Sequence, residues 1–70
     1  MGYLFKGGKM MEYKIITGTG ITVEFATSNL ATKVEGYLDK GWHPQGGITM
    51  GQDPITKQMY ATQAIVKEVE

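Results

Sequence analysis

His43 is the only histidine in the chain, Ser28 is the only serine, and there is no cysteine. Nucleophilic catalysis needs a hydroxyl or thiol beside a base that a third group orients. Ser28 stands where a helix N-cap is expected, and His43 lies between Trp42 and Pro44, so neither has the surroundings that chemistry requires. Acid–base work by paired carboxylates needs a cleft; Glu24, Glu35 and Asp39 are spaced as a solvated surface. Without cysteine, and with a single histidine, neither a thiolate-bound zinc nor a multi-histidine metal site can form. Gly18-Thr19-Gly20 has the first glycines of a nucleotide loop but lacks the rest of either phosphate-binding fingerprint, so it reads as a turn. The expectation is a protein that is not an enzyme and carries no cofactor.

Binding chemistry is concentrated in one stretch, Gly41-Trp42-His43-Pro44-Gln45-Gly46-Gly47, which holds the only tryptophan and three of the ten glycines. Trp42 could stack on a ligand, His43 and Gln45 could hydrogen-bond one, and the Gly46-Gly47 amides could form a small anion-binding concavity. Each has a plainer reading. Trp42 plugs the end of the core, His43 is an exposed turn residue, and Gly46-Gly47 admits a bulge where a strand begins. With Lys40, Tyr60 and Gln63 these residues make up the candidate ligand-binding set, and Lys57 is a further cation within reach of it.

All seven basic residues are lysine and are balanced by seven acids. Arginine supplies the planar fork that grips phosphates and guanine edges. Its absence, with no basic cluster, argues against nucleic acid as a partner. No apolar run is long enough to span a bilayer and nothing resembles a signal peptide, so no membrane partner and a cytoplasmic location are expected.

Positioning these residues falls to a few short elements. Residues 12–17 are β-branched and aromatic, a good strand. Residues 21–26 alternate apolar and polar, which predicts a short strand and hence a hairpin with the first. Ser28 predicts an N-cap for a helix over residues 29–40, where Leu30, Val34, Tyr37 and Leu38 make one apolar stripe. Gly36 costs that helix about 1 kcal/mol against alanine. Gly41 suits the left-handed position after its end. Residues 48–50 predict a strand, residues 51–56 a loop with an Asp-Pro turn, and residues 57–67 the longest strand, beyond which the chain frays. On that last strand Tyr60, Thr62, Ala64 and Val66 share one face, and Met59, Ala61, Gln63 and Ile65 the other. The fold class is α+β: one helix on a small antiparallel sheet, in the order β-(β)-α-β-β, over a single domain at residues 11–70.

Residues 1–10 look unlike the rest and are expected to form a flexible leader. Lys6-Gly7-Gly8 can be encoded by AAA-GGA-GGT, a bacterial ribosome-binding site just ahead of Met10-Met11. Met11 is then the expected natural start. That would leave five lysines against seven acids, a net charge of −2. The intact mass of protein made from its own locus tests this.

Tyr13-Lys14-Ile15-Ile16-Thr17, the Gly41 to Gly47 stretch and Tyr60-Ala61-Thr62-Gln63-Ala64-Ile65-Val66-Lys67 together resemble a small bacterial and phage family, domain of unknown function 1737. Its pattern is Y-K-(I/V)-(I/V)-T, a helix ending in G-W-x-P-x-G-G, and a last strand like Y-x-Q-A-x-V-K. The chain departs from it in a longer stretch at residues 20–27 and in the Tyr-Ala-Thr-Gln-Ala spacing of the last strand. The resemblance implies a β-α-β-β domain and no particular activity.

Assembly completes the reading. One helix covers one face of the sheet, yet Ile15 and Ile16, and Ile65 and Val66, put bulky aliphatics on both. The uncovered face predicts a homo-oligomer, a dimer or a dimer of dimers. Two roles then compete. One is a non-enzymatic oligomeric module that binds or sequesters a nucleotide-like or other small anionic metabolite between subunits, as a phage protein of this size would. The other is a protein-interaction or inhibitor module acting through its sheet edge or apolar face.

Overall fold

The computed structural model describes residues 2–4 and 10–69. It contains β1 (Gly2–Leu4), β2 (Met10–Gly20), α1 (Val23–Leu38), β3 (His43–Gln52) and β4 (Met59–Val69). The four strands form one antiparallel sheet in the order β1-β2-β4-β3. β2 and β3 both flank β4, so they run in the same direction, and α1 carries the chain across from one to the other. This is the expected α+β layer with one helix and, from Met10 onward, the order β-α-β-β.

β2 is longer than its β-branched centre suggests. Gly18, Thr19 and Gly20 do not turn; they pair with Ala61, Tyr60 and Met59 of β4. The physical reason is the helix above them. A Cβ at Gly18 would fall on the Leu30 backbone and lie 2.6 Å from the Ala26 carbonyl oxygen. Glycine there lets the helix backbone settle onto the sheet.

The chain leaves β2 straight into α1, so the strand expected at residues 21–26 is replaced by helix. Thr22, not Ser28, is the N-cap: its Oγ1 accepts a hydrogen bond from the Phe25 amide at 3.2 Å. The alternation of Ile21, Val23 and Phe25 misleads because all three side chains are exposed. The inward stripe is Ala26 and Leu30, both buried, with Val34 and Tyr37 partly buried beside them; of the four expected residues Leu38 falls outside it and is exposed. Ser28 lies inside the helix, where its carbonyl accepts from the Thr32 hydroxyl at 3.1 Å.

α1 ends as expected, two residues early. Gly41 has φ +92°, and the Lys40 and Trp42 amides both donate to the Tyr37 carbonyl, at 2.9 and 3.2 Å. β3 then begins at His43 rather than at residue 48, and β4 stays paired to its end, with Val69 opposite Met10. Between them Asp53 closes the loop, its Oδ1 accepting from the Ile55 and Thr56 amides at 2.8 and 3.2 Å. Of the expected leader, Gly2–Leu4 pairs with Met10, Met11 and Glu12, and Met10 belongs to β2. The rest of that expectation falls on residues 1 and 5–9, outside the described residues.

The core is Ile16, Ala26, Leu30, Trp42, Ala61 and Ile65, with Val34, Tyr37 and Met59 packed against it. It lies wholly between α1 and the faces of β2 and β4.

Candidate functional site

Directly opposed residues of an antiparallel pair share a face of the sheet. The register therefore sorts the candidate residues. Ala61, Gln63 and Ile65 are buried and face the helix. Lys14, opposite Ile65, and Met50, opposite Ala61, share that face. His43, opposite Val66, and Gln45, opposite Ala64, are on the other, as is Tyr60.

The candidate set is accordingly split rather than gathered. Six steps along the strand separate Val66, beside His43, from Tyr60, about 20 Å at the usual rise. Tyr60 has a packing role: its ring lies where a Cβ at Gly51, its cross-strand partner, would stand. His43 is exposed, as expected, but as a strand residue and not a turn residue.

Gln63, Gln45 and Gly46 do meet. Between Gln45 opposite Ala64 and Thr49 opposite Thr62, β3 spends residues 46–48 on the single position Gln63. This is the bulge that Gly46-Gly47 announces, with Gly46 at φ +75°. The Gln63 amide fills it, donating from Nε2 to the carbonyls of Gln45 and Gly46 at 3.2 Å each and of Ala64 at 2.9 Å. Three acceptors around one buried amide make a structural joint. The bulge turns carbonyls inward, opposite in sign to an anion-binding concavity.

Trp42 and Lys40 join a second cluster. Trp42 is 6% exposed and meets Tyr37 edge-to-face, with centroids 5.9 Å apart at 83°. The Lys14 ammonium stands 5.7 Å from the Trp42 ring centre and 6.0 Å from that of Tyr37, and Lys40 stands 5.9 Å from Tyr37. Lys67 runs past Gly41, its Cε 3.7 Å from where a Cβ there would be. None of these three lysines is in an ion pair among the described residues. The sequence places Tyr37 on the apolar stripe of the helix but gives no sign of Lys14 beside Trp42, because only the β2–β4 register brings it there.

Two surfaces complete the picture. A groove of about 260 Å³ runs beside α1, walled by Leu30, Ala31, Val34 and Leu38 and floored by Ile48 and Gln63. The sheet face away from α1 carries Met11, Tyr13, Ile15, Thr17 and Thr19 from β2, and Tyr60, Thr62, Ala64, Val66 and Glu68 from β4. β3 adds His43, Gln45, Thr49 and Gly51. Glu68 is the only formal charge among these described residues, and Ile15 is 56% exposed. Lys14, Lys33, Lys40, Lys67, Glu12 and Glu35 all lie on or toward the helix side.

Among the described residues no group of three or more histidine, aspartate or glutamate side chains is placed to hold a metal ion. No described helix is long and apolar enough to cross a membrane. The family model described as Domain of unknown function (DUF1737) matches residues 10–68. The chain belongs to this family, as the Tyr13 to Thr17, Gly41 to Gly47 and Tyr60 to Lys67 motifs indicate. No curated protein and no solved structure matches it.

Proposed function

We propose that this chain is a small non-enzymatic interaction module that acts as a homo-oligomer, assembled through the face of its sheet away from α1. The observation that carries this reading is the segregation of charge. A fifth of the chain is charged, yet Glu68 is the only formal charge among the described residues of the face away from α1, whose β2 and β4 positions are otherwise aliphatic, aromatic or threonine and whose β3 positions are His43, Gln45, Thr49 and Gly51. Water gives no reason to clear lysine from one face of an exposed sheet; burial does.

Size points the same way. The core contains two alanines among its six buried residues, little for a domain of 70 residues without disulfide or metal.

Sedimentation velocity tests the reading. At micromolar concentration the protein is expected to sediment as a dimer or larger. Ile15→Lys, which puts a charge at the centre of the open face, is expected to shift it to a smaller species with its circular dichroism unchanged. A wild-type chain that is monomeric throughout would end the proposal.

One observation favours a second reading, capture of a small anionic or nucleotide-like metabolite. Lys14 and Lys40 gather at Tyr37 and Trp42 without carboxylate partners, which suits a planar anion better than the dispersed His43, Gln45, Tyr60 and Gln63 do. Thermal-shift screening with nucleotides and organic phosphates separates the two. A rise in Tm that the Lys14→Ala/Lys40→Ala double variant abolishes would support metabolite capture; no rise with any of them leaves the interaction module.

A further inference from the structure

The two edges of the sheet are finished differently. β1 pairs with β2 only at Met10, Met11 and Glu12, so along residues 13–20 no described strand lies on the edge of β2 away from β4. There α1 provides cover. Lys33 Nζ donates to the Thr17 carbonyl at 2.8 Å and Asn29 Nδ2 to the Thr19 carbonyl at 2.6 Å. A lysine laid along a strand edge is a common guard against the addition of another strand.

β3, at the opposite edge, has no such guard. Its ten residues, His-Pro-Gln-Gly-Gly-Ile-Thr-Met-Gly-Gln, include no aspartate, glutamate or lysine. Pro44 lacks an N–H and the bulge interrupts residues 46–48, so the first half is blunted. The remainder, residues 49–52, pairs regularly with β4 and is unguarded, with Met50 38% exposed and Ile48, in the bulge beside it, 53% exposed. α1 packs on β2 and β4, which leaves the groove floored by Ile48 open along this same edge.

We propose that residues 49–52 pair antiparallel with the β3 of a second copy across a twofold axis, joining two sheets into one. This surface is distinct from the open face, and the two together would give a dimer of dimers. The occupant follows from charge. A strand that meets its own reverse brings each residue opposite itself or a near neighbour, so any charge near the axis would face a like charge. β3 has none. A different protein seeking this edge would find no charge to complement. The second copy also brings its own Ile48 groove alongside, making one sheltered apolar strip between the two helices.

Charge-swap variants at Met50 test this, read by sedimentation velocity at low ionic strength. Met50→Lys and Met50→Glu should each weaken self-association tenfold or more when alone, and an equimolar mixture should regain it. If either variant is too destabilised to fold, as circular dichroism would show, the same swaps at the half-exposed Ile48 replace it. Variants that associate like wild type, or a mixture no stronger than its components, would overturn the edge pairing. Ile15→Lys keeps the two surfaces apart. Dissociation by Ile15→Lys alone sinks the edge and spares the face; dissociation by the Met50 variants alone does the reverse. A wild-type monomer sinks both.

Discussion

Gln63 is the residue whose role changes most between a list of candidates and a folded chain. As an isolated polar side chain on a strand it invites a ligand. In place, it is the internal filler of the β3 bulge, its amide answering the carbonyls of Gln45, Gly46 and Ala64. Replacing it with methionine keeps the volume and removes the donor. Leaving buried acceptors unmet costs about 1–3 kcal/mol, so Gln63→Met should lower unfolding free energy by roughly that amount in urea titration. A change too small to measure would mean that water reaches those carbonyls and the amide is not the joint. The same comparison explains what was readable at this scale. Trp42 as core plug, Gly41 at positive φ and Gly46-Gly47 as a bulge follow from residue type and neighbours. Gln63 and Lys14 do not, since their meaning lies in a cross-strand partner up to 51 positions away, as Lys14 opposite Ile65 illustrates.

At the scale of elements, the stretch from Gly18 to Ala26 reads as a turn and a strand but folds as the end of β2 and the start of α1, and one cause explains both differences. Gly18 and Gly20 look like turn residues because turns are where glycine most often serves. Here they clear space for a helix pressed directly on the sheet, with Ala26 and Leu30 over Gly18. The alternation at Ile21, Val23 and Phe25 looks like a strand because exposed apolar residues carry no label saying they are exposed. By contrast, the Leu30 to Tyr37 stripe and the two faces of β4 were legible because burial imposes the period directly. Two alanine substitutions separate the two uses of glycine. Gly18→Ala pushes a methyl into the α1 backbone and should cost about 1–3 kcal/mol or more. Gly36→Ala sits on α1 where nothing lies within 4 Å of the new Cβ. It should stabilise by about 0.5–1 kcal/mol through helix propensity. Opposite signs in paired thermal melts are expected; equal losses would mean that α1 does not rest on Gly18.

At the scale of the molecule, one helix on a four-stranded sheet is a two-layer slab, 16 Å through its thinnest dimension. Such a slab buries one face and leaves the other to be covered by something else. The sequence anticipated this from Ile15 beside Ile16 and Val66 beside Ile65. It could not show that the charged residues also segregate, because that depends on register. If the uncovered surfaces are where copies meet, folding and association are linked, and stability must then depend on protein concentration. For a dimer that unfolds to separate chains, each tenfold rise in concentration adds about 1.4 kcal/mol to the free energy of unfolding. Spread over two chains, that is a rise in Tm of about 5 °C per tenfold. Calorimetry across two decades of concentration should show this slope, and Ile15→Lys and Met50→Lys should each flatten it. A wild-type Tm that does not move would place the stability in the single chain and return the open face to solvent.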